Sequence, residues 1–438
     1  MSKMNLPERI RIFLTETAPV DGSLSILDQA VCSATTFLTG VLIANTAGTS
    51  ELGYYTLILS IIMLGGELQN SLIIIPYTVL YPQTAGRDRP DFLNNAVLQQ
   101  FILIFFLLAF IALGHAGLPF TCGSLNIHYI LVSLAVALPG MMIRQFARLV
   151  SFSHLRLWTT LILDASTGIL QIGGLCGLMY FGRLGSAFHA FCVIGAACTL
   201  SGVFWILRQD VFVRLHWMHA FRTIQDNWKY SKWLVNTIPV AYLRGQLGIW
   251  MLTIFYDSYH TGLFSACFAI TSIGNMFVLG LGNFIGSMSC HKYDKNDVVP
   301  MLKFIIYITI FIGVFTGAFC GIMVIWGSTI VSFVYGSEYS GLGMAISVLA
   351  VSSFVWSLST PTYRGLIAIN QSQVIMMTEL LILCVNIVLG YWLILVHGVS
   401  GAAWTVMAGN SVGSVFQISL FFKHIQHCKK NSCVAHPA

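Results

Sequence analysis

Glu67 and Arg244 stand near the middle of long apolar runs. A charge inside hydrocarbon costs several kcal/mol unless it is paired or hydrated. A guanidinium never deprotonates, and its fork of donors matches a phosphate or pyrophosphate. Arg244 is therefore the candidate anion holder. Glu67 is a candidate counter-ion, or a protonatable coupling site, since burial raises a carboxyl pKa. The competing reading is a static Glu67–Arg244 ion pair that only ties helices together. Asp28, Asp164, Arg144 and Glu379 lie closer to the ends of their runs. Arg148 and Arg364 fall at run boundaries, where long cationic side chains snorkel to the interface. Gln69, Asn70, Asn236 and Gln246, with Asn275 and Asn283, add uncharged donors and acceptors of the kind that sugar hydroxyls need. For any one of them, an interhelical hydrogen bond of about 0.6 kcal/mol is the competing reading.

The elements that hold these residues must be membrane helices. Of 438 residues, 56% are hydrophobic and 9% charged, against about 25% charged in an average soluble protein. So few charges cannot cover a soluble fold, and lipid must be the solvent. A soluble enzyme, a nucleic-acid binder and a disulfide scaffold are excluded. The 11 Cys contain no CxxC pair and read as small packing residues. Twelve apolar runs are long enough to cross ~30 Å of hydrocarbon. They lie at 24–46, 53–80, 97–115, 125–148, 158–181, 186–207, 233–256, 262–288, 302–326, 341–360, 373–396 and 399–422. The runs are continuous, not alternating, which argues for helices over barrel strands.

Lys and Arg cluster on alternate loops. The loops 45–52, 114–126, 257–261, 327–340 and 397–398 contain neither, and Arg183 is the exception on that side. The positive-inside rule then predicts that both termini are cytoplasmic. The first run is longer than the core of a cleaved leader and carries Asp28, so no cleavable signal is expected. The basic stretch 208–232 divides the chain. It separates a cytoplasmic segment (1–23) and a six-helix bundle (24–207) from a second six-helix bundle (233–422) and a tail (423–438).

The halves repeat. Arg148 and Gly185 stand 37 positions apart, as do Arg364 and Gly401. Asp164 and Glu379 fall at matching places, which argues for pairing with nearby arginines. The first and seventh runs each end in a polar turn that leads to a glycine, Gly53 and Gly262. Repeats with an even number of spans share one topology and are related by an axis along the membrane normal. The expected fold is an all-α polytopic membrane protein, with about 12 helices in two pseudo-symmetric six-helix bundles around a central cleft. Pro76 and Pro239 sit on the helices of Glu67 and Arg244, where kinks permit bending. Gly313, Gly317 and Gly321 form a small-residue ridge, and Gly280, Gly282 and Gly286 read as packing. His216 and His219 lack further ligands, so no metal is expected. There is no phosphate-binding loop, so ATP hydrolysis is not expected.

Several segments carry a family resemblance. Asp28-Gln-Ala, Phe37-Leu-Thr-Gly-Val-Leu-Ile-Ala and Glu51-Leu-Gly53-Tyr-Tyr resemble the start of the bacterial polysaccharide (O-antigen, Wzx-type) flippases. Arg364-Gly-Leu-Ile-Ala-Ile-Asn, Val385-Asn-Ile-Val-Leu and Gly398-Val-Ser-Gly401-Ala-Ala are similar to that family's second half. The superfamily also holds multidrug extruders and the lipid II flippase. The resemblance implies a non-enzymatic, multi-pass exporter of the bacterial inner membrane. It would move polyprenyl-pyrophosphate-linked oligosaccharide between leaflets by alternating access, without a cofactor, with H+ or Na+ as the candidate coupling ion. It places the helices of Asp28, Glu67 and Arg244 at the cleft. The expected substrate-binding set is then Arg244, Glu67, Asp28, Gln69, Asn70, Asn236 and Gln246, with a lipid-linked oligosaccharide and membrane lipid as partners and no nucleic acid. The rival readings are a multidrug or cation antiporter and, less favoured for want of long external loops, a glycan polymerase or ligase.

Overall fold

A computed structural model describes residues 18–81, 89–117, 121–122, 125–154, 156–209, 234–293, 298–369 and 371–435. The central basic stretch from 210 on therefore lies outside the described residues, with His216 and His219 in it. Among the described residues the chain is helical apart from short turns and one two-stranded antiparallel ribbon. The helices are α1 (Ala18–Ala47), α2 (Thr49–Gln69), α3 (Ile75–Leu80), α4 (Arg89–Gly117), α5 (Ile127–Ser153), α6 (Leu157–Tyr180) and α7 (Ala187–Leu207). They continue with α8 (Leu234–Phe255), α9 (Ser258–Lys292), α10 (Val299–Tyr335), α11 (Gly343–Ala368) and α12 (Ser372–Ala435). The ribbon pairs β1 (Thr121–Cys122) with β2 (Leu125–Asn126).

Ten described helices are long and apolar enough to cross a membrane. The longest, α12, is two helices joined at Gly398, whose backbone (φ 54, ψ −124) leaves helical space where a side chain would strain it. The shorter apolar α8 completes the twelve expected spans. α10 exceeds its expected span: 37 residues make roughly 55 Å at 1.5 Å per residue. Large apolar side chains face outward from α4 (Phe105, Phe106, Phe110) and α10 (Tyr307, Val314, Ile325, Phe333). In water these faces would drive aggregation, and in lipid they meet their solvent.

Between α2 and α3 the chain makes a π-turn, Asn70–Ile74, closed by the Ile75 N–H on the Asn70 carbonyl. Pro76 follows at once and has no N–H to continue the regular ladder.

The chain divides into two compact units. Unit 1 draws on Met1–Leu42, Ile61–Phe120 and Ile127–Val235. Unit 2 draws on Ile43–Ser60, Thr121–Asn126 and Asn236–Ala438. In unit 1, α5 and α7 cross at backbone contact. A Cβ on Gly140 would lie 2.4 Å from the Gly195 carbonyl oxygen, and one on Gly202 would lie 3.0 Å from the Arg144 nitrogen. Small residues permit this approach, which supplies the dispersion contacts that hold helices together in lipid. Trp205 donates to Ser151 (2.9 Å) across the same seam.

In unit 2, α11 packs among α9, α10 and α12. Its Leu366 and Ile369 join Met301, Ile305, Phe421 and Ile425 in a buried cluster. Gln417 donates to the Ser359 carbonyl (2.8 Å) and to Thr362 (3.0 Å). The ridge on α10 meets α11 at two of its three glycines, with Gly313 against Leu358 and Gly317 against Phe354. The first turns of α2 also belong to this unit. Trp250 donates to the Ser60 hydroxyl (2.7 Å), and Tyr242 bonds the Ser60 carbonyl.

Candidate functional site

Among the described residues, each unit pairs arginine with carboxylate inside its helices. In unit 1, Arg144 and Arg148 stand one turn apart on α5 and face Asp164 of α6. Asp164 accepts from Arg144 (2.7 and 3.1 Å) and from Arg148 Nε (2.7 Å). Arg148 Nη2 reaches Asp28 of α1 at 2.8 Å. Cys32, one turn along α1, donates to Asp164 at 3.2 Å. Both carboxylates are 1% exposed. Two cations meet two anions, so the cluster is charge-neutral. Asp28, Cys32 and Asp164 have metal-ligand spacing, but two guanidiniums already engage the carboxylates and would repel a cation. The expected pairing of Asp164 with nearby arginines is present. Arg148 turns inward onto two carboxylates instead of outward to the interface, because leaving them unpaired in a dry core costs more than the guanidinium gains from water.

In unit 2, Arg244 of α8 lies 2.6 Å (Nε to Oε2) from Glu379 of α12, and both side chains are 22% exposed. The two atoms are close but not aligned as donor and acceptor, so the contact is an ion pair rather than a hydrogen bond. Arg244 also donates to Asn410 (3.4 Å), which donates to Ser352 (3.0 Å). Asn386 reaches the Arg244 carbonyl at 3.5 Å.

A second arginine, Arg364 of α11, lies against α9 where Gly282 and Gly286 leave room. A Cβ on Gly282 would fall 2.8 Å from its Nη2. Its guanidinium carbon sits 5.7 Å from the Tyr363 ring centre. The Tyr363 phenol is within electrostatic reach of Glu379, Arg364 and Arg244. Among the described residues, Arg364 pairs with no carboxylate, and its Nε is buried without a partner. The Arg244–Glu379 pair is thus neutral, and Arg364 adds an unpaired cation to the same unit. Anchored anions belong in such a place, since positive charge held in a low-dielectric setting attracts them strongly.

The other predicted residues are dispersed. Glu67 is half-buried in unit 1 without an ion-pair partner among the described residues, one turn before the π-turn that starts at Asn70. Arg244 therefore takes Glu379 of its own unit as partner. Gln69 is buried and donates to the Met142 carbonyl (3.2 Å), a helix-tying bond. Gln246 is half-buried on α8, and Asn275 donates to Ser353 at 3.4 Å. The side chains of Asn236 and Asn283 lie outside the described residues. Sequence reasoning missed the Arg244–Glu379 pair and the seating of Arg364 on Gly282. The matching positions of Asp164 and Glu379 were the available signal for the first.

No protein-family model matches the sequence. The chain is similar to the probable low-salt glycan biosynthesis flippase Agl15 of Haloferax volcanii. The two are 23% identical over a 287-residue alignment, which covers 61% of this chain and 61% of that protein. The match thus spans less than two thirds of that relative. The lipid II flippase MurJ in an inward closed conformation superposes with a TM-score of 0.70 at 14% identity, covering 95% of this chain and 91% of that one. An inward-facing multidrug resistance MATE transporter of the MOP superfamily superposes with a TM-score of 0.72 at 14% identity, covering 92% and 96%. The chain is a multi-pass membrane protein with the fold of the MOP-superfamily transporters, and its sequence is similar to that of a glycan biosynthesis flippase.

Proposed function

We propose that this protein is a flippase that carries a lipid-linked oligosaccharide, joined through pyrophosphate to a polyprenyl chain, across the inner membrane. The observation that carries the reading is in unit 2, where Glu379 pairs with Arg244 and Arg364 is left without a carboxylate among the described residues. A drug cation would be repelled there, whereas a pyrophosphate is held. The likeness to Agl15 and the MurJ fold support the same direction. The internal repeat supports alternating access, with the headgroup held by unit 2 and the polyprenyl tail left in lipid. Asn386 and Asn410 supply amide groups beside Arg244 for the substrate's polar atoms. Both termini lie on the cytoplasmic side, the chain is not an enzyme, and H+ or Na+ drives the cycle.

The test uses a deletion strain. Polyprenyl lipids are extracted and the leaflet of any accumulated glycan intermediate is determined. Accumulation on the cytoplasmic face, relieved by the wild-type protein but not by Arg244→Ala at equal abundance, is the expected result. Full relief by Arg244→Ala overturns the role of Arg244. No accumulation, in a strain without a redundant flippase, overturns the function.

One observation favours a second reading. Glu67 is a half-buried carboxylate with no ion-pair partner among the described residues, as a cation antiporter of this fold would need. Drug sensitivity on deletion, with glycan intermediates unchanged, supports that reading.

A further inference from the structure

We propose that Arg364 is a phosphate-binding residue, seated by Gly282, that receives the phosphate of an anionic headgroup. This deepens the function proposed above and rests on it for the identity of the natural ligand, though not for the chemistry.

A guanidinium has five N–H donors. Those of Arg364 make no hydrogen bond to any described residue, and the buried Nε has no water-facing alternative. By contrast, Arg144 and Arg148 spend their donors on Asp164, Asp28 and Cys32, and Arg244 is held by Glu379 and Asn410. Among the described residues, Arg364 is thus an arginine with neither an ion pair nor a hydrogen bond. Its place is also prepared. The guanidinium lies over Gly282 of α9, where any side chain would collide with Nη2, while Gly286 faces only its aliphatic stem at 3.6 Å. The Tyr363 ring flanks it, and aromatic faces favour cations. α11 ends at Ala368, one turn beyond Arg364. The guanidinium therefore lies near the end of its own helix, a position from which a long cationic side chain reaches the level of lipid headgroups. An anion with paired oxygens satisfies the fork.

Two sources share that chemistry, a diphosphate-linked lipid and a bulk anionic phospholipid, for which Arg364 would be a simple interface anchor. The experiment separates them. Full-length protein in neutral detergent is titrated with inorganic pyrophosphate, with a polyprenyl diphosphate and with phosphatidylglycerol, and affinity is read by thermal shift. The variants are Arg364→Ala, Arg364→Lys, Gly282→Ala and Gly286→Ala. A response to either diphosphate is expected, weakened about 10- to 100-fold by Arg364→Ala, as befits lost charged hydrogen bonds. Arg364→Lys keeps the charge but not the fork and falls between. Gly282→Ala weakens binding several-fold because it displaces the flexible guanidinium without touching the backbone, and Gly286→Ala binds as the wild type. The glycine pair keeps the test decisive if Arg364→Ala fails to fold.

Unchanged diphosphate affinity in Arg364→Ala, or in Gly282→Ala should Arg364→Ala fail to fold, overturns the proposal. So does a response to phosphatidylglycerol alone. Arg364-dependent binding in a protein whose deletion accumulates no glycan intermediate leaves the site standing and removes the flippase reading. Unchanged binding in Arg364→Ala with intact flipping does the reverse.

Discussion

Gly53 and Gly262 hold equivalent places in the two halves of the chain, and each lies against the turn that precedes the other. A Cβ on Gly53 would fall 1.8 Å from the carbonyl oxygen of Ser258, and one on Gly262 would fall 2.0 Å from that of Thr49. The two turns that share a sequence pattern are therefore the two that meet, within unit 2. Thr49 continues the contact by donating to Glu338 at 2.7 Å.

The crossing predicts sharp intolerance. Gly53→Ala and Gly262→Ala each force backbone to move, and each should cost about 1–3 kcal/mol, the usual penalty of overpacking. Gly321→Ala is the control, since nothing lies within 4 Å of its Cβ position. It should be neutral or stabilising, because alanine is the better helix former. Thermal unfolding in detergent reads all three, and equal melting of Gly53→Ala and the control contradicts the close approach.

The unit 1 cluster predicts coupling. Asp164→Asn leaves two buried arginines with one carboxylate and should destabilise by about 3–5 kcal/mol. Arg148→Met alone strands Asp28. The double variant Arg148→Met with Asp28→Leu should lose less than the sum of its parts, because it removes both charges of a pair 2.8 Å apart. Additive losses in a double-mutant cycle contradict the pairing.

Glu379 competes with any anion for Arg244. Glu379→Gln removes the competitor and keeps the shape, so pyrophosphate affinity should rise about tenfold, the scale of one charge-assisted contact. Arg244→Ala should lower it and abolish transport. Isothermal titration of the purified variants checks the order Glu379→Gln, wild type, Arg244→Ala.

Asp257 caps α9, accepting from the His260 N–H at 2.9 Å and meeting its ring nitrogen at 2.7 Å. Burial pushes its carboxyl up, but the His260 backbone and ring contacts outweigh burial and hold it below the usual 3.8. The folded pKa is depressed, so this contribution is fully present above about pH 4 and fades as pH falls through the folded value. Asp257→Ala should cost about 1 kcal/mol at neutral pH, the worth of an N-cap. The gap to wild type should narrow below pH 4. A pH series of melting temperatures measures it, and a gap that widens in acid contradicts the cap's ionisation.

Local pattern was enough for the helices and the apolar spans. Hydropathy acts over a few turns, and a charge-poor chain has no other way to satisfy its backbone in lipid. The break at Gly398 falls between the last two apolar runs for the same reason. That Arg244 must find a partner was legible too, because the cost of an arginine in mid-span depends on depth alone. What a charge pairs with was not legible. Arg244 meets Glu379 from 135 positions away, and Asp28 meets Arg148 across 120. Such partners are chosen by the crossing of helices, and side-chain type does not encode crossing. Gly282 shows the limit most plainly. In sequence it is one small residue in an apolar run, and only the packing of α11 on α9 turns its missing side chain into the seat of an arginine.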